Sequence, residues 1–346
     1  MSPIDPATLS SIVIRLPNWI GDAVMAQPAI AALRERLPRA RITLLGRPWA
    51  GDLYADTNLA DNFLPAGGRL GGTTRLRREK FDAGFLLPNS FSSALSVALA
   101  GVPRRIGYAT DGRGWLLTHP IPGGRERIPE ILRLLRVAVG AFDGKIPGTP
   151  PAPRLVVSPE TREAARRLLG TSGGDPATTI GLAPFSHASG AKRWPLDRFR
   201  ILGSRLASRP ATRVVIVAGP AEKAPAAALA GAIGARVSPV ADAKLPALAG
   251  LLAELDVLVA NDTGPMHLAA AVGTPVVAIF GPTDPVRTAP VGDRHRILAK
   301  PPECAPCFHN ECPENHRCMT GISMEEALAA VEDILARRAP PGKGAP

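Results

Sequence analysis

Cysteine is scarce in this chain: four cysteines occur among 346 residues, and all of them lie between positions 304 and 318. A disulfide framework that links distant parts of the chain is therefore excluded. Aromatic residues make up only 4% of the sequence, which leaves few platforms on which nucleic-acid bases could stack. The net charge of +11 predicts an anionic partner, but the scarcity of aromatic residues argues against nucleic acid.

Three common motifs of nucleotide-binding proteins and hydrolases are also missing. No GxxxxGK(S/T) sequence occurs, so a P-loop NTPase is unsupported. No GxGxxG follows the first predicted strand, and the usual NAD-binding fingerprint is therefore absent. The GxSxG elbow of serine hydrolases is missing as well.

Neither a secretory leader nor a membrane span is predicted. The first residues lack a basic stretch followed by an apolar one. Two long uncharged segments, 83–103 and 263–283, contain prolines and polar side chains and are better explained as a buried strand joined to a helix. The sequence therefore favours a cytoplasmic protein, with contact to a membrane from the cytosolic side left open.

Length and composition indicate a globular protein of about two domains. Apolar residues make up 45% of the chain and charged residues 21%, a balance that excludes wholesale disorder and coiled coil. Short apolar runs alternate with helical patterns, which predicts βαβ units and parallel sheets. The predicted strands are 11–16, 41–45, 81–87, 105–108, 178–183, 213–218, 256–260 and 275–280. The predicted helices are 21–37, 90–100, 196–206, 245–255, 266–272 and 325–337.

A proline-rich segment at 145–153 interrupts this alternation and is the best linker candidate. We therefore expect an N-terminal Rossmann-like domain over 1–150, a second over 151–322, and a C-terminal helix and tail over 323–346. The fold class is α/β, with two Rossmann-like domains whose parallel sheets face a central cleft. Pro28 should kink or shorten the first helix, and Ser323 is the expected N-cap of the last.

Three segments that directly follow predicted strands contain polar residues suited to chemistry. In LPNWIGD (16–22), Asp22 begins a helix; it is either a carboxylate favoured by the helix dipole or a general base. In FSHASGAKRWP (185–195), Lys192 is either part of a solvated basic turn or a point charge for phosphate. In NDTGPMHL (261–268), followed by FGPTDP (280–285), a helix begins after a polar turn, which is typical of an anion site.

Taken together, these segments resemble the ADP-heptose:lipopolysaccharide heptosyltransferases, inverting glycosyltransferases with two Rossmann-like domains (the GT-B type). The resemblance spans roughly residues 11–335. It rests on NWIGDAVMAQPAI (18–30), LLPNSFSSAL (86–95), AGVPRRIGY (100–108), AKRWP (191–195) and NDTGPMHLAAAVGTPVVAIFGPTDP (261–285). The second and third of these segments resemble in particular the enzymes that add a second heptose to the inner core, onto the heptose already attached to Kdo-lipid A.

The resemblance implies roles for individual residues. Asp22 corresponds to the catalytic base and Lys192 to the lysine that stabilises the leaving ADP diphosphate. Donor-binding positions are implied at Ser186, Glu222, Asp262, Thr263, Gly264 and His267. The expected acceptor-binding positions are Asn18, Asn89, Arg104 and Arg105, of which Arg104 and Arg105 form a basic pair suited to an anionic acceptor. No metal or other cofactor is implied; ADP-heptose is the donor substrate.

Most of the positive charge lies in the predicted acceptor half: residues 1–150 contain 19 lysines and arginines against 12 aspartates and glutamates. Arg69, Arg75, Arg77, Arg78 and Lys80 form one cluster in the sequence. Each of them alone could be part of a solvated surface. Together they fit an anionic acceptor, heptosyl-Kdo2-lipid A, reached at the inner membrane from the cytosol.

The cysteines at 304, 307, 312 and 318 include one CxxC pair. Four such residues can form a tetrahedral zinc site, although the second pair lacks this spacing. Free thiols or a local disulfide at Cys304, Cys307, Cys312 and Cys318 are favoured over structural zinc, and no catalysis is assigned to them.

Two other functions remain open on sequence grounds. One is an enzyme of the same family with another acceptor or donor, such as the transferase that adds the first heptose. The other is a two-domain solute-binding protein without catalytic activity, against which the absence of a signal peptide speaks.

Overall fold

The chain divides into two compact units, the N-terminal unit Met1–Val156 and the C-terminal unit Val157–Pro346. The structure, a computed structural model, describes residues 3–67, 73–142, 144–169, 178–186 and 189–337. The division falls just after the proline-rich segment, a few residues beyond the expected boundary at 150. No described helix is long and apolar enough to cross a membrane.

The N-terminal unit has a six-stranded parallel sheet with the order β3-β2-β1-β4-β5-β6. Its elements are β1 (Ser11–Arg15), α1 (Ile20–Met25), α2 (Gln27–Arg36), β2 (Arg41–Gly46), α3 (Pro48–Tyr54), β3 (Asn62–Pro65), α4 (Thr73–Glu79), β4 (Ala83–Leu86), α5 (Phe91–Leu99), β5 (Arg104–Tyr108), β6 (His119–Ile121) and α6 (Glu130–Gly140).

The C-terminal unit repeats this order in its own sheet, β12-β11-β10-β7-β8-β9. Its elements are α7 (Pro159–Leu169), β7 (Thr178–Ala183), α8 (Leu196–Ala207), β8 (Thr212–Val217), α9 (Lys223–Ile233), β9 (Val237–Val240), α10 (Leu245–Ala253), β10 (Val257–Asn261), α11 (Gly264–Ala271), β11 (Val276–Phe280), α12 (Pro285–Thr288), β12 (Arg296–Ala299), α13 (Arg317–Thr320) and α14 (Met324–Ala336).

Both sheets therefore have the strand order of a dinucleotide-binding Rossmann fold, and the expected α/β class is confirmed. Most inner strands are largely apolar, and every residue of β10 and β11 is buried. This is typical of parallel strands that are covered on both faces.

The eight strands predicted from the sequence are the eight inner strands of the two sheets, with ends shifted by at most two residues. The four strands that were not predicted, β3, β6, β9 and β12, are the outer strands. They are only three or four residues long and partly exposed. Three of them contain proline, which cannot donate a ladder hydrogen bond and is confined to sheet edges.

Two local predictions about helices are confirmed. The first predicted helix is divided into α1 and α2 at Ala26, two residues before Pro28. Ser323 caps α14: its hydroxyl accepts the Glu326 N–H at 3.1 Å, while the Glu326 carboxylate accepts the Ser323 N–H at 2.8 Å. This is a reciprocal capping box.

Helix α14 does not form a region of its own, as the expected segment 323–346 would require. Its buried face, with Ala327, Val331 and Ile334, belongs to the same apolar core as Trp194 and Phe199. The helix is thus part of the C-terminal unit, because its apolar stripe needs that core for burial.

Two helix glycines should respond in opposite ways to substitution by alanine. Gly250 in α10 is packed closely against α7, whereas Gly231 in α9 is not. A Cβ at Gly250 would lie 2.8 Å from the carbonyl oxygen of Thr161, whereas a Cβ at Gly231 in α9 meets nothing within 4 Å. Gly250→Ala should destabilise the unit by about 1–2 kcal/mol, because overpacking outweighs helix propensity. Gly231→Ala should stabilise it by up to about 1 kcal/mol. Urea unfolding measures both; equal shifts would contradict this account.

Candidate functional site

In the C-terminal unit, the candidate residues lie where the strand order reverses. Strands β7 and β10 are neighbours in the sheet, but the chain continues from β7 to β8 in one direction along the sheet and from β10 to β11 in the other. The described residues that follow them, 184–186, 189–195 and 262–267, therefore lie at the same edge, which is where such sheets bind ligands. This edge brings Lys192 and Asp262 together.

A buried asparagine, Asn261, fixes the two segments to each other. Its side chain is fully buried; its Oδ1 accepts the Trp194 N–H at 3.0 Å, and its Nδ2 donates to the Pro184 carbonyl at 2.8 Å. The Trp194 indole is also buried and donates to the Ile322 carbonyl at 2.9 Å. Satisfied polar groups of this kind rigidify a core, so the backbone beside Lys192 is held from both sides.

Lys192, Asp262 and His267 form a compact group, called here the Lys192 cluster. The Lys192 Nζ lies 3.0 Å from Asp262 Oδ2 and 3.4 Å from the Asp262 carbonyl oxygen. The His267 Nε2 lies 3.8 Å from Asp262 Oδ1. The Asp262 side chain is only 6% exposed and that of Lys192 is 29% exposed, so the ammonium is held by its partner while one side remains open to a ligand.

The imidazole of His267 is neutral near pH 7. Burial lowers its pKa below the ordinary value; the charge of Asp262 acts in the opposite direction, and that of Lys192 adds to the lowering. The contact with Asp262 is therefore a polar contact of a neutral ring rather than an ion pair.

The other predicted donor-binding residues in this unit mainly support their own turns. The Thr263 hydroxyl donates to the Asn261 carbonyl at 3.2 Å, and Gly264 begins α11. Ser186 is buried, and its carbonyl accepts from Arg193 at 2.7 Å. The Glu222 carboxylate accepts the Gly219 N–H at 2.7 Å in the turn after β8. His187 and Ala188 of the segment 185–195, which also contains Ser186, lie outside the described residues.

In the N-terminal unit, the corresponding reversal lies between β1 and β4. Asp22 is in the first turn of α1 after β1, and Asn89 is in the segment after β4. Asn18 Oδ1 accepts from Arg15 at 2.8 Å, and Asn89 Oδ1 accepts from Arg133 at 3.2 Å. The sheet thus places three of the predicted residues along its carboxyl edge.

Arg133 is a central residue of this region that the sequence analysis missed. It is buried on α6, is paired with Glu130, and lies over the Tyr108 ring, 5.5 Å from the centroid. Burial lowers its pKa, but the hydrogen bond and charge of Glu130, with further contributions from Tyr108 and Asp22, raise it overall. Asp22 is therefore close enough to interact with this cation. The only signal in the sequence was a basic residue in the middle of an apolar helix.

Arg113 was missed for a similar reason. It is fully buried and donates to the Tyr108 carbonyl at 2.9 Å, to the Ser93 hydroxyl at 3.1 Å and to the Pro88 carbonyl. These bonds hold the segment after β4, which carries Asn89. Burial lowers the pKa of Arg113 to about 10.

Arg104 and Arg105 do not join the other predicted acceptor residues. Both begin β5, and their partners in the ladder are Ala83 and Gly84 at the start of β4. They therefore lie at the amino edge of the sheet, whereas Asn18, Asn89 and Asp22 follow the carboxyl ends. The Arg105 guanidinium donates to the Val102 and Leu116 carbonyls. The prediction that these arginines share a site with Asn18 and Asn89 is wrong.

All four cysteines are free thiols in the structure. Burial raises the pKa of Cys318, as does the proximity of Cys312 and Cys307. Among the described residues, which include all four cysteines, no group of three or more His, Cys, Asp or Glu side chains could hold a metal ion.

The segment that contains the cysteines supports the segment that leads to Lys192. The Asn310 carbonyl accepts the Ala191 N–H at 2.9 Å and the Ser189 hydroxyl at 3.1 Å. The Phe308 N–H donates to the Pro282 carbonyl at 2.9 Å. The contacts of the cysteine-containing segment therefore indicate a structural role beside the Lys192 cluster.

The chain is similar to proteins of one glycosyltransferase family. The family model of glycosyltransferase family 9 (heptosyltransferase) matches residues 71–317. Lipopolysaccharide heptosyltransferase 2 of Escherichia coli is 28% identical over 308 residues, which cover 83% of this chain and 87% of that protein. Lipopolysaccharide heptosyltransferase 1 of Pseudomonas aeruginosa is 35% identical, but over only 40% of this chain and 39% of its own length.

A solved structure of an ADP-heptose lipopolysaccharide heptosyltransferase II from E. coli is similar over nearly the whole length. It has a TM-score of 0.81 and 25% identity, and the match covers 94% of this chain and 99% of that one. The similarity therefore includes both units.

The neutral state of His267 predicts an acid-sensitive fold. Between its lowered folded pKa and about 6.5 the unfolded chain binds more protons, so the free energy of unfolding should fall as the pH drops from 7 to 5. His267→Gln should make this fall smaller. It should not abolish it, because burial also lowers the pKa of His295, to about 4. Urea unfolding at several pH values measures the slope; an unchanged slope in His267→Gln would show that the ring has the same pKa in the fold as in the unfolded chain.

Proposed function

Because the chain belongs to glycosyltransferase family 9, the heptosyltransferases, we propose that it transfers L-glycero-D-manno-heptose from ADP-heptose to the first heptose of the lipopolysaccharide inner core. The observation that carries this proposal is the Lys192 cluster at the strand reversal of the C-terminal sheet, the position of a diphosphate site in this fold. Similarity over most of the chain to proteins named heptosyltransferase 2 supports the second heptose as the product. Transfer of the first heptose is the alternative.

The leaving group explains the composition of the Lys192 cluster. When the bond from the anomeric carbon to ADP breaks, negative charge develops on the diphosphate oxygens. A lysine ammonium aimed at those oxygens stabilises them in the transition state. The Asp262 carboxylate would repel phosphate, so its role is to position Lys192, which it contacts at 3.0 Å, and to accept hydrogen bonds from sugar hydroxyls.

Asp22 is the proposed general base. Its carboxylate takes the proton of the acceptor hydroxyl while the hydroxyl oxygen attacks the anomeric carbon of the donor heptose. The carbon–oxygen bond to the diphosphate breaks on the opposite face, ADP departs with the electron pair, and the anomeric configuration is inverted. Arg133, held by Glu130 and Asn89, places a positive charge close enough to interact with this carboxylate.

The reaction needs no divalent cation in this proposal. Lys192 supplies the positive charge that a metal ion would otherwise bring to the diphosphate, and the first turn of α11 adds backbone dipoles. Pro265 lacks an N–H, which leaves one fewer backbone donor in that turn.

A membrane-bound acceptor is consistent with an exposed aromatic pair in the N-terminal unit. Trp115 is 74% exposed and Phe91, at the start of α5, is 39% exposed; their ring centroids are 6.2 Å apart. Helix α4 packs against α5 and presents the exposed arginines Arg75, Arg77 and Arg78. Aromatic and basic side chains together favour an anionic bilayer surface, so we infer peripheral contact with such a membrane. Arg69 of the predicted basic cluster lies outside the described residues.

The defining experiment is transfer from ADP-heptose to heptosyl-Kdo2-lipid A in the presence of EDTA, with NMR of the product to establish the anomeric configuration. Asp22→Asn should lower kcat by about 10²- to 10⁴-fold, the usual contribution of a general base. Asp52→Asn, which changes an exposed carboxylate of the same unit, is the control. Activity that is lost in EDTA would contradict metal independence, and full activity of Asp22→Asn would contradict its role.

Lys192→Gln should raise the KM for ADP-heptose and lower kcat, each by roughly tenfold, since a charge-assisted hydrogen bond to phosphate contributes about 1.5–3 kcal/mol. The KM for the acceptor should stay the same. Lys244→Gln replaces an exposed lysine of the same unit and should have wild-type kinetics. If both variants behave alike, Lys192 does not contact the donor.

Membrane contact is measured by sedimentation with vesicles of phosphatidylglycerol and phosphatidylethanolamine. The double variant Trp115→Ser/Phe91→Ser should bind them several-fold more weakly than the wild type, because the aromatic rings no longer enter the interface. Phe308→Ser, which removes an exposed aromatic side chain from the other unit, should bind normally. Equal binding to vesicles of neutral phosphatidylcholine would argue against an electrostatic contribution.

A further inference from the structure

A cavity in the N-terminal unit is lined by Asn18, a predicted acceptor-binding residue, and by neither of the two predicted catalytic residues. Its volume is about 380 Å³, within the range of small-ligand pockets, about 300–1,000 Å³. It lies at the carboxyl ends of β1 and β2, against the first two turns of α5. Its polar lining comprises Arg15, Arg47, Asn18, Ser92, Ser93 and Ser96; we call it the arginine pocket.

The arginine pocket has two cations and no matching anion. Among the described residues that line it, none is Asp or Glu. Arg15 donates to the Leu45 carbonyl at 3.3 Å, to Asn18 Oδ1 at 2.8 Å and to the Leu16 carbonyl, which are all neutral acceptors. Burial, and then the charge of Arg47, lowers the pKa of Arg15 to about 10. Two guanidinium groups that repel each other are stabilised when an anion binds between them.

The serines make the pocket suitable for a sugar. Ser96 donates to the Ser93 carbonyl at 3.0 Å, which leaves its oxygen able to accept a hydrogen bond from a ligand hydroxyl. Ser93 is used internally, by Arg113 and by the Ser90 carbonyl. Leu45 and Leu76 provide an apolar floor. A planar guanidinium group can donate two parallel hydrogen bonds to two oxygens of one carboxylate or phosphate.

Asn18 connects the pocket to the chemistry. It lines the pocket, is held by Arg15, and precedes Asp22 by four residues in the segment that begins α1. A group anchored at Arg15 and Arg47 would therefore fix the acceptor close to the proposed base.

On this basis we propose that the arginine pocket binds a negatively charged sugar unit of the acceptor glycan, with Arg15 and Arg47 on its carboxylate or phosphate and Ser92 and Ser96 on its hydroxyls. This inference rests on the proposed transferase function and assigns the acceptor contacts that Arg104 and Arg105 do not make. A carboxylate and a phosphate on the sugar would both present oxyanions to Arg15 and Arg47. The experiment below distinguishes the two.

The test compares Arg15→Gln, Arg47→Gln and the control Arg39→Gln, an exposed arginine of the same unit. The substrate is the de-O-acylated, water-soluble form of heptosyl-Kdo2-lipid A. Each pocket variant should raise the acceptor KM by about 10- to 100-fold while the KM for ADP-heptose changes less than twofold. Arg39→Gln should match the wild type. Arg47→Gln serves as the second variant, because Arg15 also bonds strand carbonyls and its loss could disturb the fold.

Two acceptor analogues identify the anion. With the analogue that lacks the bound group, dephosphorylated or carboxyl-reduced, wild type and Arg47→Gln should have the same KM, because the arginine has nothing left to bind. With the other analogue the difference should persist. A difference that persists with both analogues would overturn the anion assignment.

Isothermal titration calorimetry with the same oligosaccharide separates this inference from the proposed function. If the wild type transfers heptose and Arg47→Gln has an unchanged acceptor KM and Kd, the pocket assignment is wrong and the function stands. If no transfer occurs but the oligosaccharide binds at least tenfold more weakly to Arg47→Gln than to Arg39→Gln, the pocket assignment stands and the function is wrong.

Discussion

The common direction of the strands is the constraint on which both candidate regions depend. In each unit all ladder pairs are parallel, so every segment that follows a strand leaves from the same edge. At the strand reversal the neighbouring segments diverge to opposite faces of the sheet and leave room for a ligand between them. Asp22 and Asn89 reach such a position in one unit, and Lys192 and Asp262 reach it in the other. The strand order and direction therefore decide which segments lie next to each candidate site.

Buried polar contacts then fix the side chains at these edges. Asn261 satisfies both groups of its amide and ties Trp194 to the end of β7, while the pairs Lys192–Asp262 and Arg133–Glu130 hold charges that would be costly alone. The arginine pocket is different, because none of the described residues that line it carries a carboxylate. In the two ion pairs, each charge holds its partner in position. In the proposed pocket, the charges of Arg15 and Arg47 are available to bind a ligand.

The sequence predicted the eight inner strands because most of their residues are apolar, a signal that depends on burial of both faces. It did not predict β3, β6, β9 and β12, whose residues are half-exposed and whose strand conformation depends on the neighbouring strand. The same limit applied to charges. Arg104 and Arg105 were placed with the acceptor because they are basic, but their position at the start of β5 puts them at the wrong edge. Arg113 and Arg133 were overlooked because nothing in a linear sequence distinguishes a buried, paired arginine from an exposed one.

The sequence by itself determined the α/β class, the inner strands and the family, and it singled out Asp22, Lys192, Asp262 and His267 as candidate site residues, since motifs and apolar periodicity are local properties of the chain. The tertiary structure alone decided which side chains meet. It paired Lys192 with Asp262 across 70 positions of sequence, placed Asn89 against Arg133, and assembled the arginine pocket from the ends of β1 and β2 and from α5. The physical reason is that register and strand order, which no local pattern encodes, decide which ends of the chain's elements share an edge.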